Sequence, residues 1–275
     1  MNALVSRPTI RLPVMFPLVL VLVSSLTAAC ARPAAGVIIA GSTSVQPYAE
    51  ILAEEYAILY PDKVIDIQGG GSSAGITAAE SGTADIGMSS RELSGAEEGL
   101  WSVEIAKDGL AIIINPDNPI EDLSLNQVRD IYSAKISDWS ELGGAKAKIH
   151  IIAREDGSGT RNAFESLVMG SEQINPKAII QDSNGAVRQV VSSDQNSIGF
   201  VSLGLIDHTV RAIKLEGVAP TWENVMNGNY SLFRPFIFIT NNAPEGPVKQ
   251  FIDFTLSPEG QQVLIHEGLI PQRRE

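Results

Sequence analysis

The chain has one cysteine, Cys30, and three histidines in 275 residues. A single thiol closes no internal disulfide, so the fold must be held without that framework. With so few soft ligands, scattered along the chain, a transition-metal centre is not expected, and neither is a cofactor. Bases are scarce as well. Against 32 Asp and Glu stand 20 Lys and Arg, for a formal net charge of −12. Nucleic acid needs a basic surface and is excluded as a partner. General electrostatic capture of anions is excluded on the same ground, so any anion site must work through donors aimed locally. There is no low-complexity segment and no fixed-period repeat. What is present is an ordinary globular composition, 44% hydrophobic and 19% charged, with length for one or two domains.

Residues 1–29 read as a signal peptide. Arg7 and Arg11 make a basic start, and residues 14–23 form an apolar run too short to span a membrane. Ser24-Ser25-Leu26-Thr27-Ala28-Ala29 then leads to Cys30. This resembles a bacterial lipoprotein cleavage site, which makes Cys30 the lipidated N-terminus and residues 30–36 a tether. Thr27 stands where an aliphatic residue is usual, and ordinary secretory cleavage after Ala31 is the competing reading. The expected location is outside the cytoplasm: held by lipid on the outer face of the cytoplasmic membrane, or periplasmic.

From residue 37 the chain alternates strands and helices. Val37-Ile38-Ile39-Ala40 is β-branched and apolar, the pattern of a buried strand, and Gly41-Ser42-Thr43-Ser44 turns into a helix with Pro47 in its first turn. Val64-Ile65-Asp66-Ile67 is a second strand, followed by the turn Gly69-Gly70-Gly71-Ser72-Ser73-Ala74-Gly75 and a short helix. Strands follow at 84–88 and 110–114, and Asn115-Pro116-Asp117-Asn118-Pro119 makes a strong turn. Ser124 can cap a helix through Val128 and Ile131. Further strands are expected at 149–153, 178–180, 197–201 and 236–239. A last pair of helices runs over 247–254 and onward from Ser257, with Pro258 at the first position of the second. This order gives an α/β fold with mostly parallel strands. The expected boundaries are one lobe from 37–114 and 232–275, and a second from 115–231.

The stretch Arg154-Glu155-Asp156-Gly157-Ser158-Gly159-Thr160 lies between an apolar strand and a helix. Such a turn gathers backbone N–H groups, hydroxyls and a positive helix end, and Arg154 adds a forked permanent cation. Similar Gly/Ser/Asn turns occur at 41–44, 69–75 and 182–185. Each could be only a helix cap, but in α/β folds all would lie at the carboxyl ends of strands, where ligands bind. Gly71-Ser72-Ser73-Ala74-Gly75 also fits G-x-S-x-G, which would make the chain an exported serine hydrolase or phosphatase with Ser73 as nucleophile and His150, His208 or His266 as base. Arg161 stands where a Walker motif would need lysine.

These motifs, in this order, resemble the phosphate-binding proteins of bacterial ABC phosphate importers. The likeness runs from about Val37 to the C-terminus and includes Asp85-Ile86-Gly87-Met88-Ser89-Ser90-Arg91 and Ile198-Gly199-Phe200-Val201. It implies the two-lobed type II periplasmic-binding-protein fold, closing on its ligand about two crossover strands. It also implies a monomeric receptor, not an enzyme, whose partners are inorganic phosphate and a membrane permease. The resemblance places Thr43, Ser44 and Ser72 as donors in the first lobe. In the second it places Arg154 as the phosphate-binding arginine, Asp156 as the carboxylate acceptor, and Ser158, Gly159 and Thr160 as helix-end donors. Ser90 replaces an aspartate found in many relatives. Arg91 beside it either reaches the ligand or forms a surface salt bridge. Phosphate carries a proton at neutral pH and sulfate does not, so a carboxylate such as Asp156 could tell them apart. The alternative is a receptor for sulfate, molybdate or tungstate.

Overall fold

A computed structural model of the protein describes residues 36–272. The signal peptide, Cys30 and most of the tether lie outside the described residues. In chain order the elements are β1 (Val37–Gly41), α1 (Gln46–Leu59), β2 (Ile65–Gly69), α2 (Ser72–Ser81), β3 (Ile86–Ser89), β4 (Trp101–Ile114), β5 (Asp122–Leu123) and α3 (Leu125–Tyr132). They continue with β6 (His150–Arg154), α4 (Gly159–Phe164), β7 (Ile179–Gln181), α5 (Asn184–Ser193), β8 (Ser197–Ser202), β9 (Arg211–Ala212), β10 (Lys214–Leu215) and α6 (Trp222–Met226). The chain closes with β11 (Phe233–Thr240), α7 (Gly246–Thr255), α8 (Pro258–His266) and β12 (Ile270–Pro271).

The strands follow the order β2-β1-β3-β11-β4-β8-β6-β7, with β9 and β12 also paired to β4. β1 runs parallel to β2 and β3, and β6 runs parallel to β7 and β8. Between these parallel groups lie β11 and β4, antiparallel to each other and to their outer neighbours. The sequence suggested a strand over 110–114 alone, whereas β4 has 14 residues. Its earlier part, Trp-Ser-Val-Glu-Ile-Ala-Lys-Asp, lacks a long apolar run. It is a strand because β11 takes up its backbone groups from Trp101 to Gly109, and a half-buried ladder tolerates polar side chains.

The buried apolar residues form two principal clusters. One draws on 37–106 and 236–269 and includes Ile39, Tyr56, Ile86, Phe238 and Phe251. The other draws on 110–232 and includes Ile112, Tyr132, Phe164 and Phe200, with the last two rings stacked at 4.2 Å. The changeover falls on β4 between Ala106 and Leu110, and on the approach to β11 between Leu232 and Phe236. The two long strands therefore carry the chain from one core to the other.

Gly75 sets the seat of α2. A Cβ there would stand 2.6 Å from the Ala40 carbonyl oxygen and 2.6 Å from the Gly41 Cα. Only glycine lets this helix lie against β1 with Ser72 at the strand ends. Those neighbours are backbone and cannot swing aside. Gly75→Ala is expected to destabilise the fold by about 2 kcal/mol, read as a lower midpoint in urea with unchanged m-value.

Candidate anion-binding site

The parallel strands bring their carboxyl ends, and the helix starts that follow them, to one region. β1 delivers Ser42, Thr43 and Ser44; α2 starts at Ser72; Ser90 follows β3. From the other half come Arg154 at the end of β6, Ser158 as the cap of α4 with Gly159 and Thr160 behind it, and Asn184 at the start of α5. All of these except Thr43 are buried.

The hydroxyls form a connected cluster. Ser44 Oγ lies 2.8 Å from Thr160 Oγ1 and accepts from Asn184 Nδ2 at 2.7 Å. Ser42 Oγ donates to Ser90 Oγ at 2.9 Å, and Ser72 Oγ lies 3.3 Å from Ser90 Oγ. The Ser73 amide donates to the Gly157 carbonyl at 3.1 Å, tying the start of α2 to the 154–160 turn. Gly159 sits so close to Ser72 and Ser90 that a Cβ there would overlap both hydroxyl oxygens. The α4 start therefore approaches the cluster through bare backbone, and helix geometry leaves its first-turn amides without intrahelical acceptors.

Arg154 is 1% exposed. Its Nε and Nη2 donate to Glu155 at 2.8 and 2.9 Å, and Nη2 also reaches Thr43 Oγ1 at 3.2 Å and the Asp182 carbonyl at 3.1 Å. Its Nη1 is buried with no partner among the described residues. Leaving such a charged donor unmet costs about 1–3 kcal/mol or more, and an anionic oxygen is the group that removes that cost.

A second buried arginine, Arg234 on β11, pairs with Asp108 on β4 at 3.0 Å. Arg234 Nη2 also donates to Ser44 Oγ at 3.0 Å and Nη1 to Ser90 Oγ at 3.4 Å, while Ser202 Oγ donates to Asp108 Oδ1 at 2.7 Å. Burial pushes the Asp108 carboxyl upward against the pull of Arg234, and burial draws the Arg234 guanidinium down.

The structure brings Thr43, Ser44, Ser72, Ser90, Arg154, Ser158, Gly159 and Thr160 into this region, as the resemblance implies. It does not bring Asp156 there. That residue is 95% exposed and pairs with Arg161 at 2.6 Å. The left-handed Gly157, at φ 85°, turns the chain just beyond it. Glu155 has already folded back onto Arg154, so the buried arginine needs no second acid. Arg91 is a second correction. Its Nη1 and Nη2 chelate Glu97 at 2.7 and 2.8 Å, and Nη2 is 3.4 Å from Ser73 Oγ. That pairing holds the Glu97 carboxyl below its ordinary range, chiefly through the hydrogen bonds from Arg91. Sequence reasoning missed Asp108, Arg234 and Glu155. The first two carried a signal, as charges at the edges of the apolar runs Leu110-Ala111-Ile112-Ile113-Ile114 and Phe236-Ile237-Phe238-Ile239.

Fold and site have known counterparts. The family model described as PBP superfamily domain matches residues 27–259. The phosphate-binding protein PstS of Bacillus subtilis is 32% identical over 240 residues, covering 85% of this chain and 79% of that one. The chain belongs to the PBP superfamily, among its PstS-type phosphate-binding proteins. Two solved PstS-like structures resemble it closely. A phosphate ABC transporter substrate-binding protein of Clostridium perfringens, solved with bound phosphate, matches with a TM-score of 0.84 at 44% identity, over 87% of this chain and 100% of that one. An ABC-type phosphate transport receptor from Vibrio cholerae matches at 0.71 and 36% identity, over 86% and 100% of the two chains. The type II periplasmic-binding-protein fold expected from the sequence is borne out.

Proteins of this PBP family are substrate-binding receptors, not enzymes, which disposes of the hydrolase reading. The site agrees. His150 pairs with Asp194 at 2.6 Å and His266 lies beside Glu267, while among the described residues Ser73 Oγ has Arg91 as its polar partner.

Because Asp156 faces solvent, Asp156→Asn is expected to change the ratio of phosphate to sulfate affinity by less than about twofold. Competition binding of the two anions to wild type and variant measures this; a tenfold loss of discrimination would return Asp156 to the ligand.

Proposed function

We propose that this chain is an extracytoplasmic receptor that binds inorganic phosphate between its two lobes and delivers it to an ABC permease. The single observation that carries this is Arg154 Nη1, a buried guanidinium donor without a partner among the described residues, on a side chain that reaches Thr43 in the other half. Around it stand the hydroxyls of Ser44, Ser72, Ser90 and Thr160 and the helix start at Ser158 and Gly159. This is a shell for a tetrahedral oxyanion, assembled from both ends of the sheet. The B. subtilis and C. perfringens relatives bear phosphate in their names, which supports the choice of anion.

The two lobes follow the two cores, 37–106 with 236–269, and 110–232. β4 and β11 join them, and capture is closure about these strands. In this reading Ser44 with Thr160, Arg154 with Thr43, and Ser73 with Gly157 meet only when the lobes are shut. The receptor acts as a monomer, since both lobes must face the permease. It is held at the membrane by lipid on Cys30. Among the described residues no helix is long and apolar enough to cross a membrane.

Titration calorimetry on the purified mature chain is expected to show one phosphate per molecule, and no binding would refute the receptor role. Arg154→Lys keeps a charge but loses the fork, and should weaken binding by about 10- to 100-fold, the worth of a charge-assisted hydrogen bond. For the anchor, cells fed labelled palmitate should label the wild type and not Cys30→Ser. Equal labelling of the two would rule out lipid on Cys30.

A further inference from the structure

The hydroxyl cluster has a direction, and it starts at Arg234. Ser44 Oγ receives N–H bonds from Asn184 Nδ2 at 2.7 Å and Arg234 Nη2 at 3.0 Å. A guanidinium can only donate. The Asn184 amide is oriented because its Oδ1 accepts the Ser202 amide at 3.4 Å. A hydroxyl offers two lone pairs and one hydrogen. With both lone pairs taken, Ser44 must donate, and the acceptor in reach is Thr160 Oγ1 at 2.8 Å. Thr160 accepts there, and its own hydrogen has no protein acceptor among the described residues.

The same count applies at Ser90. Its Oγ accepts from Ser42 Oγ at 2.9 Å and from Arg234 Nη1 at 3.4 Å, so its hydrogen goes to Ser72 Oγ at 3.3 Å. Ser72 Oγ also accepts the Ser90 amide at 3.0 Å. Both of its lone pairs are then filled and its hydrogen is free. Two relays, Arg234 to Ser44 to Thr160 and Arg234 to Ser90 to Ser72, therefore both end on an O–H with no acceptor among the described residues.

We propose that Arg234 is a specificity-determining positioning residue, which orients these relays so that Ser72 and Thr160 can only donate to the bound anion. With Arg154 Nη1 they make a site of donors alone. The nearby carboxylates are engaged elsewhere. Asp108 holds Arg234 and Ser202, Glu155 chelates Arg154 with both oxygens, Asp156 is on Arg161, and Glu97 is on Arg91. Such a site reads charge and tetrahedral oxygen geometry, not a ligand proton. Its ligand class is the dianionic tetrahedral oxyanion: hydrogen phosphate, which leaves one ligand hydrogen without an acceptor where the monoanion would leave two, with sulfate, which carries none, as a real competitor. This deepens the phosphate-receptor reading and rests on it.

Other charged or titratable groups face Arg234. Arg154 on β6 repels it, Tyr48 on α1 lies close to it and to Asp108, and the Phe236 ring lies 5.6 Å from its guanidinium carbon. Arg91, Glu92, Glu104 and Lys107 line the cleft that reaches Arg234 from outside. The pH dependence proposed here belongs to the ligand, because the second ionisation of phosphate falls near neutrality.

The test is calorimetry with phosphate and with sulfate, from about pH 6 to about pH 8. In the wild type, phosphate affinity should rise roughly tenfold over that range as the dianion forms, while sulfate affinity stays level and within about 100-fold of the phosphate value at the upper end. Arg234→Gln combined with Asp108→Asn removes both charges together, so no buried ion is left unpaired. In this double variant Ser44 and Ser90 can turn and accept, and the rise with pH should vanish. Ser90→Ala cuts one relay and leaves the ion pair intact; it should flatten the rise even if the double variant does not fold. A wild type whose phosphate affinity is level or falls with pH would overturn the proposal. So would variants that keep the wild-type rise, or sulfate binding weaker by 10⁴-fold. A wild type that binds phosphate but fails these checks leaves the receptor role standing; one that binds none ends both.

Discussion

Asp108 and Arg234 sit directly opposite each other on β4 and β11, and both are almost fully buried. Removing two charges from water costs several kcal/mol per ion, about what their attraction returns, unless the remaining donors and acceptors are also met. Here they are met from three directions. Ser202 comes from the end of β8, Ser44 from the turn after β1, and Ser90 from the end of β3. The strands that carry those serines are thus drawn to one point by the needs of a single ion pair. That point lies on the strands that join the two cores, so the candidate anion shell and the crossover strands share an anchor.

The chain is strongly acidic, yet it presents a site for an anion. These facts are compatible because the site does not work by net charge. Arg154 is balanced by Glu155 and Arg234 by Asp108, so the residues around the ligand position are close to neutral before anything binds. Among the described residues, what is in surplus is hydrogen: an unpartnered guanidinium N–H, hydroxyl hydrogens at the ends of the relays, and first-turn amides of a helix. In a buried setting such donors are worth far more than at the surface, and the charge of the rest of the molecule is screened from them.

Contacts between the halves at this region are polar and few. Ser44 meets Thr160, Arg154 meets Thr43, and the Ser73 amide meets the Gly157 carbonyl. The two large apolar clusters lie on either side, divided where the long strands cross. A seam of this kind can open without exposing a hydrophobic core, which is what a receptor that captures and releases needs.

The sequence by itself determined the α/β architecture, because β-branched runs ending in Gly/Ser turns and followed by helical spacing admit few other folds. It also determined which turns gather at the candidate site: Ser44, Ser72, Arg154, Ser158 and Thr160 all stand where local chemistry placed them, since a turn between strand and helix is a short-range feature. Only the tertiary structure decided where the charges point. Asp156 and Glu155 are neighbours in one turn, and nothing local says which of them folds inward. The choice follows from Glu155 meeting Arg154 while Asp156 meets Arg161 on the outer face of α4. Arg91 turned toward Glu97 for the same kind of reason. Asp108 and Arg234 are far apart in the chain and became partners only through the register of β4 and β11. Which partner each charged side chain takes is set by how the turns and strands pack, and that is the information a single sequence does not display.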